Sequence, residues 1–163
     1  KRQAHISTGE LLRREIAEKT EVGLVAKEYI DQGKLVPDNF LFTIVNERLG
    51  KPDCRNGYIL DGFPRTLNQA NGLEKIMDSF NHSLDRAISL YADEDALVER
   101  LVKRGENSGR SDDTSNIIRN RQKIYWQQTA PLLDFYEERG LLDNINGLGE
   151  IKEITEKILT VIK

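Results

Sequence analysis

Cysteine and histidine are scarce in this sequence, which has one cysteine, Cys54, and two histidines, His5 and His82. A single cysteine cannot form an internal disulfide bond, and no secretory signal pattern heads the chain. Both points favour a reducing, cytoplasmic setting. The two histidines lie far apart and lack the spacing of metal ligands, which argues against a zinc site.

Long apolar runs and a strong charge of one sign are also missing. No run approaches the roughly 18 apolar residues that a membrane span needs. The net charge is −3, with 31% charged and 38% hydrophobic residues, so we expect a globular protein in solution, without the basic surface typical of nucleic-acid binding. A length of 163 residues predicts one domain over residues 1–163, with enough chain to bury a core.

Short strand-like runs alternate with segments of helical periodicity along the chain. The strand-like runs are residues 4–6, 58–60, 87–91 and 141–145. Ser7 and Glu10 have the spacing of a capping box at the start of the first helix. A long helix is predicted from about residue 114 to 139, bent near Pro131 and ended by Gly140. This alternation predicts an α/β fold with a mostly parallel sheet.

One stretch in the middle of the chain has the pattern of a ligand site. Residues 58–60 are apolar and run into Asp61, and Gly62 and Pro64 then break the backbone before Arg65. This predicts a buried strand whose carboxyl end opens into a turn, which is where open α/β sheets bind ligands. A carboxylate and a guanidinium at that end suit a metal-bound, anionic ligand. The alternative is a plain strand, a turn and a surface arginine.

Arginines at loops and helix faces strengthen the prediction of a phosphate ligand, because the planar guanidinium fits phosphate oxygens in pairs. Segment 105–113 is polar and rich in glycine, and it is predicted to be a mobile loop. Its closure would bring nearby arginines onto one polyphosphate, and its Asp112 and Asp113 are expected to be helix N-terminal carboxylates. A solvated loop with capping residues is the alternative. The arginines concerned are Arg13, Arg65, Arg104, Arg110 and Arg121.

Taken together, five motifs resemble those of the short-lid adenylate kinases, within the nucleoside monophosphate kinases. They occur in the family's order at residues 7–13, 34–37, 61–65, 100–105 and 108–113. The resemblance implies a P-loop kinase-type parallel sheet flanked by helices. It also implies a monophosphate-binding arm at residues 7–36, a short lid at residues 103–113, and a monomer.

The resemblance further implies roles for individual residues. Arg13 and Arg65 would hold the phosphate of AMP, and Gln69 would hydrogen-bond the edge of its base. The full AMP-binding set implied is Thr8, Arg13, Lys34, Leu35, Val36, Gly62, Phe63, Pro64, Arg65, Gln69, Arg110 and Arg121. Thr8, Leu35 and Val36 would line the adenine pocket.

ATP and the transferring group would be held by other residues of the same pattern. Arg104 and the backbone at Gly149 would contact ATP, and Asp61 would orient water around the Mg²⁺ that ATP brings. The catalytic residues implied are Arg65, Arg104, Arg110 and Arg121. Such residues position the substrates and neutralise charge, which is what phosphoryl transfer requires.

The predicted activity is the reversible transfer of the terminal phosphoryl group of ATP to AMP, giving two ADP. A UMP/CMP kinase is a second hypothesis, because those relatives share the motif at residues 108–113. They typically carry alanine at the place of Thr8 and asparagine at that of Thr66. The amide of Gln69 can donate and accept at once, which matches adenine.

The family's phosphate-binding loop, Gly-x-x-x-x-Gly-Lys, does not occur in these 163 residues. We therefore expect the sequence to be a fragment without the first strand and the loop, a unit of roughly 30 residues ahead of Ala4. A non-catalytic, nucleotide-binding domain that lacks the P-loop is the third hypothesis.

Overall fold

A computed structural model describes residues 3–162 of the chain. The chain divides between Ser83 and Leu84 into two compact units, and each is described by itself. The single domain over residues 1–163 stays a prediction.

The described part of the N-terminal unit, residues 3–83, contains two strands and four α-helices. Their order is β1 (Ala4–Ser7), α1 (Thr8–Ala17), α2 (Glu21–Asp31), α3 (Asp38–Leu49), a 3₁₀ turn (Pro52–Asn56), β2 (Tyr58–Asp61) and α4 (Leu67–Ser79). Strands β1 and β2 pair in parallel, in a register that runs from Ala4 opposite Tyr58 to Ser7 opposite Asp61.

The C-terminal unit also combines two strands with helices. Their order is β3 (Ala87–Tyr91), α5 (Glu94–Ser108), α6 (Ser115–Ile124), a π turn (Tyr125–Thr129), α7 (Pro131–Glu137), β4 (Leu142–Asn146) and α8 (Ile151–Val161). Strands β3 and β4 are parallel, with Ala87 opposite Leu142 and Tyr91 opposite Asn146. No helix within residues 3–162 is both long and apolar enough to span a membrane.

The α/β class and the parallel pairing of the strands are confirmed, but two details of the sheet differ from the prediction. Among residues 3–162, the four strands form two pairs, β1 with β2 and β3 with β4, rather than one sheet. Strand β2 is not fully buried, since Ile59 in its middle is 48% exposed. The physical reason is that each strand has a single partner among residues 3–162, so one edge and part of a face stay open.

Several local predictions are confirmed by backbone geometry. The Oγ of Ser7 accepts the N–H of Glu10 at 3.4 Å and caps α1. Gly140 follows the last helical segment with a φ of +66°. The helix predicted up to residue 139 is interrupted by the π turn, which ends at Thr129, two residues before Pro131. Proline lacks the N–H that would continue the α-helical ladder, and its ring displaces the carbonyl four residues earlier.

The prediction that the loop begins at Gly105 is wrong, because α5 continues through this residue to Ser108. A Cβ at Gly105 would lie 2.8 Å from both the Cβ and the carbonyl oxygen of Asp113, so glycine allows a close approach here. The helix ends instead at Gly109, whose φ is +64°. The segment predicted as a lid therefore begins inside a helix, and its role as a lid stays a prediction.

Helices α1 and α2 meet through their backbones in the N-terminal unit. A Cβ at Gly23 would lie 2.1 Å from the carbonyl oxygen of Glu15. Thr20 caps α2 by accepting the N–H of Gly23 at 3.0 Å, and its hydroxyl donates to the Glu15 carboxylate at 2.6 Å. These contacts fix the connection between the two helices of the predicted arm.

Candidate active site

The start of α1 is tied to the turn that follows β2. Strand β1 runs directly into α1, and the parallel register puts Ser7 beside Asp61. Thr8 is buried, and its hydroxyl donates to the carbonyl oxygen of Gly62 at 3.1 Å. The carboxyl ends of both strands therefore meet the N-terminus of a helix, where unpaired backbone N–H groups favour an anion.

Two of the predicted arginines lie at this helix start. Arg65 donates from Nε to the carbonyl oxygen of Gly62 at 2.8 Å. Both terminal nitrogens of Arg13 lie 3.3 Å from the position that a Cβ at Gly9 would take, so its guanidinium covers the first turn of α1. Two guanidinium groups beside one helix N-terminus create a positively charged environment that suits a phosphate group.

Gln69 is buried, and both ends of its amide are engaged. Its Oε1 accepts the backbone N–H of Arg65 at 2.7 Å, and its Nε2 donates to Oδ1 of Asp38 at 2.8 Å. The side chain of Asn68 donates to the other oxygen of Asp38. This pattern fixes the orientation of the Gln69 amide. Its predicted contact with a base stays a prediction. Beyond these two bonds the amide keeps one N–H donor and one acceptor lone pair.

The segment that joins α2 to α3 carries three further predicted residues. Val36 is buried, Leu35 is half-buried and Lys34 is exposed. Phe63 is also buried, with its ring edge-on to Phe42 at a centroid distance of 6.3 Å. The peptide bond between Phe63 and Pro64 is cis. Val36 and Phe63 thus hold packing positions, and their predicted contacts with AMP stay predictions.

Asp61 ends β2 with an exposed carboxylate. Its Oδ2 lies 3.2 Å from Nε2 of His5, which comes from β1. Sequence reasoning considered His5 only as a metal ligand and missed this pairing. The signal that could have placed His5 nearby was the pair of strand-like runs at residues 4–6 and 58–60, which would end side by side if they paired in parallel, as β1 and β2 do. Within residues 3–162, no group of three or more His, Cys, Asp or Glu side chains could hold a metal ion.

In the C-terminal unit, two predicted arginines converge on one buried carboxylate. Arg104 donates from Nε and Nη2 to Asp113 at 2.6 and 2.8 Å. Arg121 donates from Nη1 to Asp113 at 3.0 Å and to Asp112 at 3.1 Å. The side chain of Asp113 is 0% exposed, so these cations are its only source of charge compensation among the described residues.

The expectation that Asp112 and Asp113 are helix N-terminal carboxylates is therefore wrong. Helix α6 begins at Ser115 with Thr114 as its N-cap, and both carboxylates turn toward the arginines instead. Burial raises the pKa of Asp113, but the hydrogen bonds and charges of Arg104 and Arg121 outweigh it and lower that pKa overall. The hydrogen bond from Arg104 to this carboxylate raises the pKa of Arg104 in turn.

The guanidinium of Arg104 still has donors to offer. It gives two of its five N–H groups to Asp113, so three remain for a ligand.

Two other predicted residues of this unit lie outside the Asp113 cluster. Arg110 is half-buried, and its guanidinium forms no ion pair with the described part of the chain. Its carbonyl oxygen accepts the N–H of Asp113 at 3.4 Å. Gly149 is exposed and has a φ of +122°, two residues before α8 begins.

These features define an α/β protein that carries its cations where phosphate groups can bind: at a helix N-terminus and on a pair of neighbouring helices. The family model for adenylate kinase matches residues 2–141 of the chain. An adenylate kinase of Bifidobacterium longum is 47% identical over 155 residues, which are 95% of this chain and 83% of that protein.

Other bacterial relatives agree. An adenylate kinase of Leptospira biflexa is 46% identical over 157 residues, 96% of this chain and 84% of that protein. One of Stenotrophomonas maltophilia is 44% identical over 160 residues, 98% of this chain and 86% of that protein. The chain belongs to the adenylate kinase family. The resemblance inferred from the five motifs is thereby confirmed, and neither the UMP/CMP kinase nor the non-catalytic domain is favoured.

Proposed function

We propose that this protein transfers the terminal phosphoryl group of ATP reversibly to AMP, giving two ADP, with AMP bound in the N-terminal unit. The observation that carries this proposal is the position of Arg13 and Arg65 at the start of α1 in a member of the adenylate kinase family. A monophosphate there receives two guanidinium groups and the free N–H groups of a helix.

The base of AMP lies on the side of the site formed by Thr8, Leu35, Val36 and Gln69. Support comes from the fixed amide of Gln69, which presents a donor and an acceptor in known directions. Adenine offers a matching acceptor and donor on one edge. Lys34, Gly62, Phe63 and Pro64 complete the surroundings of the nucleotide.

The arginines of the C-terminal unit serve the transferring phosphoryl group. Asp113 holds the guanidinium groups of Arg104 and Arg121 in fixed orientations, and Arg104 keeps three of its five N–H donors after giving two to this carboxylate. Donors oriented before the reaction stabilise developing charge without reorganisation. Arg110 and Arg121 contact the transferring group, Arg104 and the backbone of Gly149 contact ATP, and Arg65 supports the acceptor phosphate.

The residues at the end of β2 fit a Mg²⁺ ion that arrives with ATP. Mg²⁺ in such sites keeps several waters and binds through one or two carboxylates and the substrate phosphates. Asp61 provides one exposed carboxylate at the strand end, and we assign it an indirect contact through water. The ion neutralises phosphate charge when bound. ATP and AMP are the substrates, and we place the enzyme in the cytoplasm as a monomer.

A comparison of acceptor nucleotides tests this function. Initial rates of ADP formation from ATP are measured with AMP, and nucleoside diphosphate formation with UMP and CMP, on the purified protein. We expect AMP to give the highest kcat/KM. A higher value with UMP or CMP would overturn the assignment of the acceptor.

A pair of neighbouring variants tests the AMP phosphate site. Arg13→Met removes charge-assisted hydrogen bonds, which contribute about 1.5–3 kcal/mol, so the AMP affinity should fall roughly 10-fold to 150-fold. Arg14→Met is the matched control, because Arg14 is exposed on the same helix and outside the predicted set. Titration calorimetry gives both affinities. Equal losses in the two variants would contradict the assigned role of Arg13.

A further inference from the structure

A groove lies between α3 and α4 of the N-terminal unit, apart from the start of α1. Its volume is about 450 Å³, within the range of roughly 300–1,000 Å³ that small-molecule sites occupy. Asn71 and Lys75 are one turn apart on α4, so they face the groove on the same side. The residues that matter for its chemistry are Phe42, Asn46, Asn71, Gly72, Lys75 and Ile76.

The floor of the groove is aromatic and apolar. A Cβ at Gly72 would lie 2.3 Å from Cζ of Phe42, so only glycine lets this ring lie against the backbone of α4. Phe42 and Ile76 are both half-buried and keep part of their surface open to the groove. Such a surface suits the flat face of a ring, because bases stack on aromatic side chains.

The walls of the groove carry polar side chains that have no partner among residues 3–162. Within residues 3–162, the carboxamides of Asn46 and Asn71 and the ammonium of Lys75 make no hydrogen bond or ion pair. An asparagine carboxamide presents a donor and an acceptor in one plane, and it pairs at two points with the edge of a purine. A lysine ammonium binds phosphate as a point charge.

We propose that this groove binds a purine nucleotide. The base lies against Phe42 with its edge at the carboxamides of Asn46 and Asn71, and the phosphate lies at Lys75. This site is distinct from the AMP site proposed on α1 and β2, and none of the predicted site residues lines it.

The test is an NMR titration of the full chain with GMP, following the side-chain NH₂ signals of Asn46 and Asn71. We expect both signals to shift and to saturate. Lys75→Met should weaken GMP binding about twofold to fivefold, the range for an exposed charge pair. Lys51→Met is the matched control, since Lys51 is an exposed lysine of the same unit outside the groove. It should leave the affinity unchanged.

Two further variants locate the bound nucleotide. Asn71→Leu keeps the size of the side chain and removes its donor and acceptor, so the saturable shift at Asn46 should disappear. Arg13→Met should leave the groove titration unaltered. The proposal is overturned by the absence of a saturable shift, by equal weakening in Lys75→Met and Lys51→Met, or by loss of the shifts in Arg13→Met, which would locate GMP in the AMP site.

Discussion

Replacing Asp113 with asparagine removes the one charge that two guanidinium groups share. The wild-type carboxylate is 0% exposed and accepts three hydrogen bonds from Arg104 and Arg121, at 2.6, 2.8 and 3.0 Å. Removing one partner of a buried ion pair costs about 3–5 kcal/mol. The arginine side chains are 39% and 28% exposed, so water replaces part of the lost interaction. We therefore expect the free energy of unfolding to fall by about 2–3 kcal/mol.

Urea unfolding followed by far-UV circular dichroism measures this loss, and Asp53→Asn is its control. Asp53 accepts two hydrogen bonds from Arg48, at 2.8 and 2.7 Å, so the pairing geometry is similar. Its side chain is 56% exposed, however, and exposed pairs contribute little. Asp53→Asn should therefore destabilise clearly less than Asp113→Asn. Equal losses would refute the reasoning that burial makes the Asp113 cluster important.

Two further predictions concern the dependence of stability on pH and the close packing of the backbone at Gly23. Because the pKa of Asp113 is lowered in the folded protein, its stabilisation is fully present above the ordinary aspartate pKa of about 3.9 and is lost as the pH falls through the lower folded value. The difference in unfolding free energy between wild type and Asp113→Asn should shrink over that range; a constant difference in urea titrations at several pH values would contradict this. Gly23→Ala puts a Cβ 2.1 Å from a backbone oxygen of α1 and should cost about 1–3 kcal/mol in thermal unfolding. Gly50→Ala, with its nearest neighbour atom at 3.6 Å and a φ of −68°, should cost nothing, and comparable losses would argue against close packing at Gly23.

Local signals in the sequence predicted most elements of the fold. Ser7 with Glu10 marked the start of α1, the apolar run before Asp61 marked β2, and Gly140 marked a helix end. Each of these signals acts over a few residues, so the chain itself contains the information. The motifs at residues 7–13 and 61–65 likewise identified the residues that gather around the start of α1.

Features that depend on distant contacts were not predictable in this way. A glycine such as Gly105 reads as a loop in the sequence, and only the position of Asp113 shows that it serves a close approach within a helix. Asp113 was predicted to be a helix N-terminal carboxylate, but in the structure it is a buried counter-ion. Its partners, Arg104 on α5 and Arg121 on α6, lie on separate helices, so no local signal could show the pairing. The engagement of Gln69 by Asp38, across 31 positions of sequence, had no local signal either.

The predicted arm, residues 7–36, is fastened at both of its roots. Thr8 at the first root donates to Gly62, and Asp38, just beyond the second, accepts from Asn68 and Gln69. An arm held at these two points can rotate about the line that joins them, but it cannot shift along the rest of the unit. Arg13 lies five residues from the first root, about 7.5 Å along α1, so it stays near the pivot. Any such swing would move the far end of the predicted arm while leaving Arg13, the cation that we propose for the AMP phosphate, almost in place.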